Sequence, residues 1–200
     1  MFDTIREKHI FIIPILITAL SILILYRFFY LNFLEIYYIS ENFFLTHKLF
    51  IPDGFDLKYL VLFTGLALMS FTDMLFEKIL DIIPELLMLA GLIFAYTSNT
   101  PLISVLEASL IGLGIFILID ITRLDSYAFG DILTAGAVGI YVGIENIIII
   151  SILSIILGKV ITYIAFKLDS ICDKSSVKEF NMAFVPVLFL ITTIVCVRLK

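Results

Sequence analysis

Residues 57–76 read LKYLVLFTGLALMSFTDMLF, and this stretch decides the fold class. As a helix it spans about 30 Å, the thickness of a bilayer's hydrocarbon core. Its charges are Lys58 at one end and Asp73 near the other. An ionisable group near or inside a bilayer is expensive, and it usually faces a cavity or a partner. The segment therefore reads as a membrane helix that carries a functional carboxylate near its end.

The rest of the chain repeats the pattern. It is 62% hydrophobic and 16% charged, with a mean hydropathy of +1.15. Soluble domains average about 45–50% apolar and about 25% charged residues. The excess apolar surface does not fit one soluble core of this size, so the expected solvent is mainly lipid. About seven spanning segments follow, near Ile10–Tyr26, Leu57–Phe76, Ile79–Tyr96, Leu102–Ile119, Asp131–Gly143, Ile147–Phe166 and Met182–Val197. The expected fold is thus all-α, a polytopic transmembrane helix bundle of about seven helices. The fifth segment is short and rich in small residues (Ala135, Gly136, Ala137, Gly139 and Gly143). Small residues let helices approach closely, which predicts a place at the centre of the bundle. Pro84 lies near the start of the third helix, and Pro101 opens the fourth after Ser98-Asn99-Thr100, which reads as a capping stretch. Residues 27–56 form an aromatic interfacial loop with Phe28, Phe29, Tyr30, Tyr37 and Tyr38. The first helix lacks a small-residue cleavage site and reads as retained.

Several classes of function are disfavoured. A net charge of −5 without a basic patch gives no nucleic-acid signal. Cys172 and Cys196 match no metal or redox spacing, and His9 and His47 lie far apart. No cofactor or metal is expected. There is no P-loop, no HExxH and no Ser/His arrangement for a serine peptidase.

A second carboxylate, Asp131, stands in Ala128-Phe129-Gly130-Asp131. Two carboxylates that share one proton can activate water and protonate a leaving group. Asp73 closes the second helix, where the macrodipole disfavours its anion, whereas Asp131 opens the fifth, where free N–H groups favour it. On that reading Asp73 more often holds the shared proton and Asp131 is the base; alternatively, Asp131 is only an N-cap and Asp73 an interfacial residue solvated by headgroups.

These contexts resemble the type IV prepilin peptidase family, and within it the archaeal preflagellin peptidases, which are GxGD-type membrane aspartyl proteases. Asp73 is followed by Ile79 and Asp81 at the offsets of the archaeal motif, and Ala128-Phe129-Gly130-Asp131 is followed by Gly139 eight positions on. The resemblance covers roughly residues 57–198, so residues 1–56 are expected to be an additional N-terminal helix and loop, and residues 57–200 the peptidase-like core. The sequence departs from the family at Ala128, where the first Gly is usual, and at Leu75 and Leu133, where a basic residue is usual. The zinc-binding cysteine motif of the bacterial branch is absent. What the resemblance implies is a catalytic pair, Asp73 and Asp131, supported by Ala128, Gly130, Ile79, Asp81 and Gly139. It also implies cleavage, at the cytoplasmic face of an archaeal cell membrane, of precursors in which a basic class III leader precedes a hydrophobic helix.

Loop charges agree with that side. With the N-terminus inside, Arg6, Lys8, Lys78, Arg123, Lys167, Lys174 and Lys178 lie inside, against Arg27, Lys48, Lys58, Arg198 and Lys200 outside. Glu77, Asp120 and Asp125 are candidate attractors for a basic leader, or ordinary solvated loop charges. Glu107 and Lys159 are costly if they face lipid; they pair, line a polar cavity, or, for Lys159, snorkel. Two other classes remain open: a proton-coupled small transporter, for which no internal symmetry is evident, and a degenerate relative acting as a membrane scaffold.

Overall fold

The computed structural model describes residues 13–27, 57–76, 81–122, 127–172 and 184–198. Among these the chain is all-helical. Helix α1 spans Ile13–Arg27. It is followed by α2 (Leu57–Phe76), α3 (Ile82–Thr97), α4 (Leu102–Ile121), α5 (Phe129–Val142), α6 (Ile144–Cys172) and α7 (Val185–Arg198). Three helices, α2, α4 and α6, are long and apolar enough to cross a membrane, and the other four are shorter apolar helices. Leu and Ile side chains stand exposed around the outside, among them Leu68, Leu86, Ile93, Ile103, Leu110 and Ile156. A surface of that kind is adapted to lipid, because along the body of each helix the backbone hydrogen bonds are made within the helix.

Helix α5 sits at the centre. It is only about 21 Å long, and all of its residues except Phe129 and Leu133 are buried. Its small residues let neighbouring backbones approach. A Cβ at Gly112 of α4 would lie 2.6 Å from the Ala135 carbonyl oxygen of α5, and one at Gly139 would collide with the Ala108 carbonyl of α4. On the other flank, Gly91 of α3 lies under Ile140 and Tyr141, and the Tyr141 hydroxyl donates to the Leu87 carbonyl at 2.9 Å. Helix α1 packs Ile17 against Val187 and Leu190 of α7.

The helix ends correct several expectations. Ser98-Asn99-Thr100 does not cap α4; it closes α3. Asn99 adopts φ 53°, and the Thr100 N–H and hydroxyl both donate to the Ala95 carbonyl, at 3.0 and 2.9 Å. This is the left-handed C-terminal turn that satisfies the last carbonyls of a helix. Pro101 is the residue before α4, in an extended conformation. Helix α5 begins at Phe129, two residues earlier than expected, so Asp131 lies inside its first turn and is not the N-cap. Helix α6 begins three residues earlier than expected and α7 three later.

Candidate active site

Asp73 and Asp131 come together, although they belong to different helices. Helices α2 and α5 run antiparallel, with Met69, one turn before Asp73, against Thr134, about one turn after Asp131. The Met69 sulfur and the Thr134 hydroxyl are 3.5 Å apart, and that hydroxyl also donates to the Gly130 carbonyl at 2.7 Å. This register sets the two carboxylates opposite each other, close enough to interact electrostatically. Both are buried, with exposures of 9% and 7%.

Each carboxylate receives a helix N-terminal N–H. Asp131 Oδ2 accepts from the Ala128 N–H at 3.2 Å. The Ala128 carbonyl begins the ladder of α5 by accepting from the Asp131 N–H at 2.9 Å. Alanine has no side-chain acceptor, so the third helical residue supplies the cap, which is half of a capping box. Asp73 Oδ2 accepts from the Val185 N–H at 3.3 Å, 112 positions away. Val185 is the first residue of α7, and the Phe184 carbonyl accepts from Val187 and Leu188 at 3.0 and 3.2 Å. Phe184 offers no capping side chain either, and a carboxylate from α2 takes that role.

This corrects the expected asymmetry between the two aspartates. Asp73 does lie near the C-terminus of its own helix, but the N-terminus of α7 meets it and supplies the favourable dipole end. Helix dipoles therefore do not separate the pair. Asp131 Oδ1 is buried and has no hydrogen-bond partner among the described residues. The hydroxyl of Ser70, one turn before Asp73 on α2, is also buried without a partner among those residues.

The remaining candidates divide by position. Ala128 is extended, with φ −65° and ψ 149°, so its backbone requires no glycine. Gly130 is buried at the start of α5. Gly139 lies two turns below the pair and works as a packing residue against α4. Asp81 is exposed just before α3, and Asp120 is exposed at the end of α4. Glu77, Ile79 and Asp125 lie outside the described residues. Glu107 and Lys159 are both exposed and do not pair with each other. Helices α4 and α6 run parallel with Gly112 beside Ile147, which puts the two side chains roughly 20 Å or more apart along the bundle. Among the described residues no three His, Cys, Asp or Glu side chains gather as a metal site.

Sequence reasoning missed the Val185 N–H that donates to Asp73 and the rings beside it. Phe116 of α4, Tyr127 and Phe184 form a trio of edge-to-face contacts, with centroids 4.9 Å apart for Phe116–Tyr127, 5.3 Å for Phe116–Phe184 and 5.0 Å for Tyr127–Phe184. A faint signal existed in Phe184-Val185-Pro186, since proline in a first turn marks a helix start. No protein-family model, no curated protein and no solved structure matches this chain.

Proposed function

We propose that this protein is a membrane aspartyl endopeptidase of the prepilin or preflagellin type. It removes basic class III leaders from pilin- or archaellin-like precursors at the cytoplasmic face. The observation that carries the reading is the buried Asp73–Asp131 pair, drawn from two helices and held by two helix N-termini.

The chemistry follows from the pair. One carboxylate takes a proton from water as the oxygen attacks the scissile carbonyl, and the protonated partner hydrogen-bonds the carbonyl oxygen and donates to it. The resulting gem-diol collapses as the protonated carboxyl gives its proton to the leaving nitrogen and the other carboxylate takes a proton from a diol hydroxyl, which leaves one proton shared by the pair. The reaction uses no covalent intermediate and no cofactor. Asp131 Oδ1, buried without a hydrogen-bond partner among the described residues, is the atom with capacity for the water or the shared proton. Asp81 and Asp120, exposed at the same end of the bundle, are placed to attract a basic leader.

The test is cleavage of a precursor bearing a basic class III leader by membranes containing wild type, Asp73→Asn or Asp131→Asn. Each substitution keeps the side chain's size and is expected to lower the rate at least about 100-fold at unchanged expression. Cleavage that survives both substitutions removes the mechanism. No cleavage by folded wild type removes the peptidase reading, in favour of a carrier or a scaffold.

A further inference from the structure

We propose that Phe116, Tyr127 and Phe184 form an aromatic clasp that assembles the carboxylate pair. They act as positioning residues that never touch substrate. The kinetic part of this inference rests on the peptidase reading; the geometric part does not.

The N–H groups that hold the pair belong to Ala128 and Val185. Tyr127 directly precedes the first and Phe184 directly precedes the second. A planar peptide links each ring-bearing residue to its donor, so fixing the residue restricts where the N–H points. The two rings meet each other at 5.0 Å, and both close on Phe116, which is fully buried near the end of α4. All three contacts are edge-to-face, the favoured arrangement for aromatic rings.

Neither α5 nor α7 has a capping side chain on its N-cap residue, Ala128 or Phe184. The direction of each first turn therefore depends on what holds the residue just outside it. The clasp holds both against one helix, so the starts of α5 and α7 are fixed relative to each other as well as to α4. That relative position decides whether Asp73, on α2, and Asp131, on α5, each meet an N–H while facing one another.

Two readouts test the clasp, one of them independent of cleavage. In a background with Cys172 and Cys196 changed to Ser, the pair Asp73→Cys and Val185→Cys is oxidised in membranes, and disulfide yield reports the α2–α7 approach. Adding Tyr127→Leu is expected to lower the yield several-fold, and further than Tyr127→Phe, which keeps the ring. With the native aspartates, Tyr127→Leu and Phe184→Leu are each expected to lower kcat about tenfold with KM within about twofold, because a small displacement of reacting groups slows chemistry without removing a substrate contact. Tyr127→Phe retains more of the rate than Tyr127→Leu, and the double leucine variant falls little further than either single one, as coupled residues do. Unchanged cross-linking in Tyr127→Leu overturns the clasp, and so does lowered cross-linking with undiminished kcat. If wild type cleaves no precursor while cross-linking responds as expected, the peptidase reading fails and the clasp stands.

Discussion

Alanine at position 128 is where a departure from a familiar motif meets a backbone angle. A glycine is required where φ is positive, and Ala128 has φ −65° with an extended ψ. The residue supplies an N–H to Asp131 and a carbonyl to the first turn of α5, and both are backbone groups that any residue but proline offers. Ala128→Gly is therefore expected to leave cleavage within about twofold and to lower stability by about 0.4–1 kcal/mol, through the looser unfolded chain. Thermal unfolding in detergent, run beside the cleavage assay, checks both. A large gain in activity would show that the methyl group obstructs the site. At this scale the acids were legible in sequence, as was backbone N–H support for Asp131 at a helix start, whereas the donor to Asp73 was not. Asp73 and Asp131 stand out because charge is rare in apolar segments, whereas the N–H of Val185 is a backbone group that no sequence letter marks. Phe116, Tyr127 and Phe184 were equally hidden, because a phenylalanine or tyrosine in an apolar chain reads as one more lipid-facing or core residue.

Among the elements, the tightest constraint lies between α4 and α5, where glycines replace side-chain interdigitation with backbone contact. No hydrophobic drive pulls helices together in lipid, so close packing has to supply the attraction. A Cβ at Gly139 meets backbone atoms of Ala108 and Ser109, which belong to a helix and cannot swing aside. Gly139→Ala is expected to push α4 from α5 and to cost about 1–3 kcal/mol. Gly114 lies on the same α4, and a Cβ added there would have nothing within 4 Å, so Gly114→Ala is expected to be neutral or to stabilise by up to about 1 kcal/mol through helix propensity. Melting temperatures in one detergent compare the two; equal effects would show that the α4–α5 approach is not a constraint. The sequence revealed these elements in proportion to the clarity of their ends. Helix α2 runs over the expected residues, Leu57–Phe76, because its apolar run is long and its flanks are polar. Helices α5 and α7 were misplaced by two or three residues because Ala128 and Phe184 carry no capping side chain. Asn99 misled in the other direction, since Ser-Asn-Thr suits the start of one helix as well as the end of another. The small-residue content of α5 did signal its central position, because only a helix packed on all sides has use for so many close approaches.

For the whole molecule, the decisive property is that one end of the bundle holds the chemistry. The last turn of α2 and the first turns of α5 and α7 meet there, together with the end of α4 through Phe116. Asp81 and Asp120 are exposed at that end, and Asn99 turns at the other, between α3 and α4. Lys and Arg in the connecting segments favour the pair's end as the cytoplasmic one by only seven residues to five, so orientation merits a direct measurement. With Cys172 and Cys196 changed to Ser, single cysteines at Asp120 and Asn99 are expected to react with a membrane-impermeant maleimide from opposite sides. Asn99→Cys should label in intact cells, and Asp120→Cys only after the membrane is opened. The reverse pattern would turn the carboxylate pair away from the cytoplasm. A peptidase whose precursors wait with basic leaders on the cytoplasmic side could not then reach them, and the proposed function would fail however well the two aspartates are arranged. The expected pattern would place the buried pair, its two exposed acidic neighbours and a basic leader on the same side. Attraction between opposite charges near the surface would then raise the encounter rate, and salt would lower it.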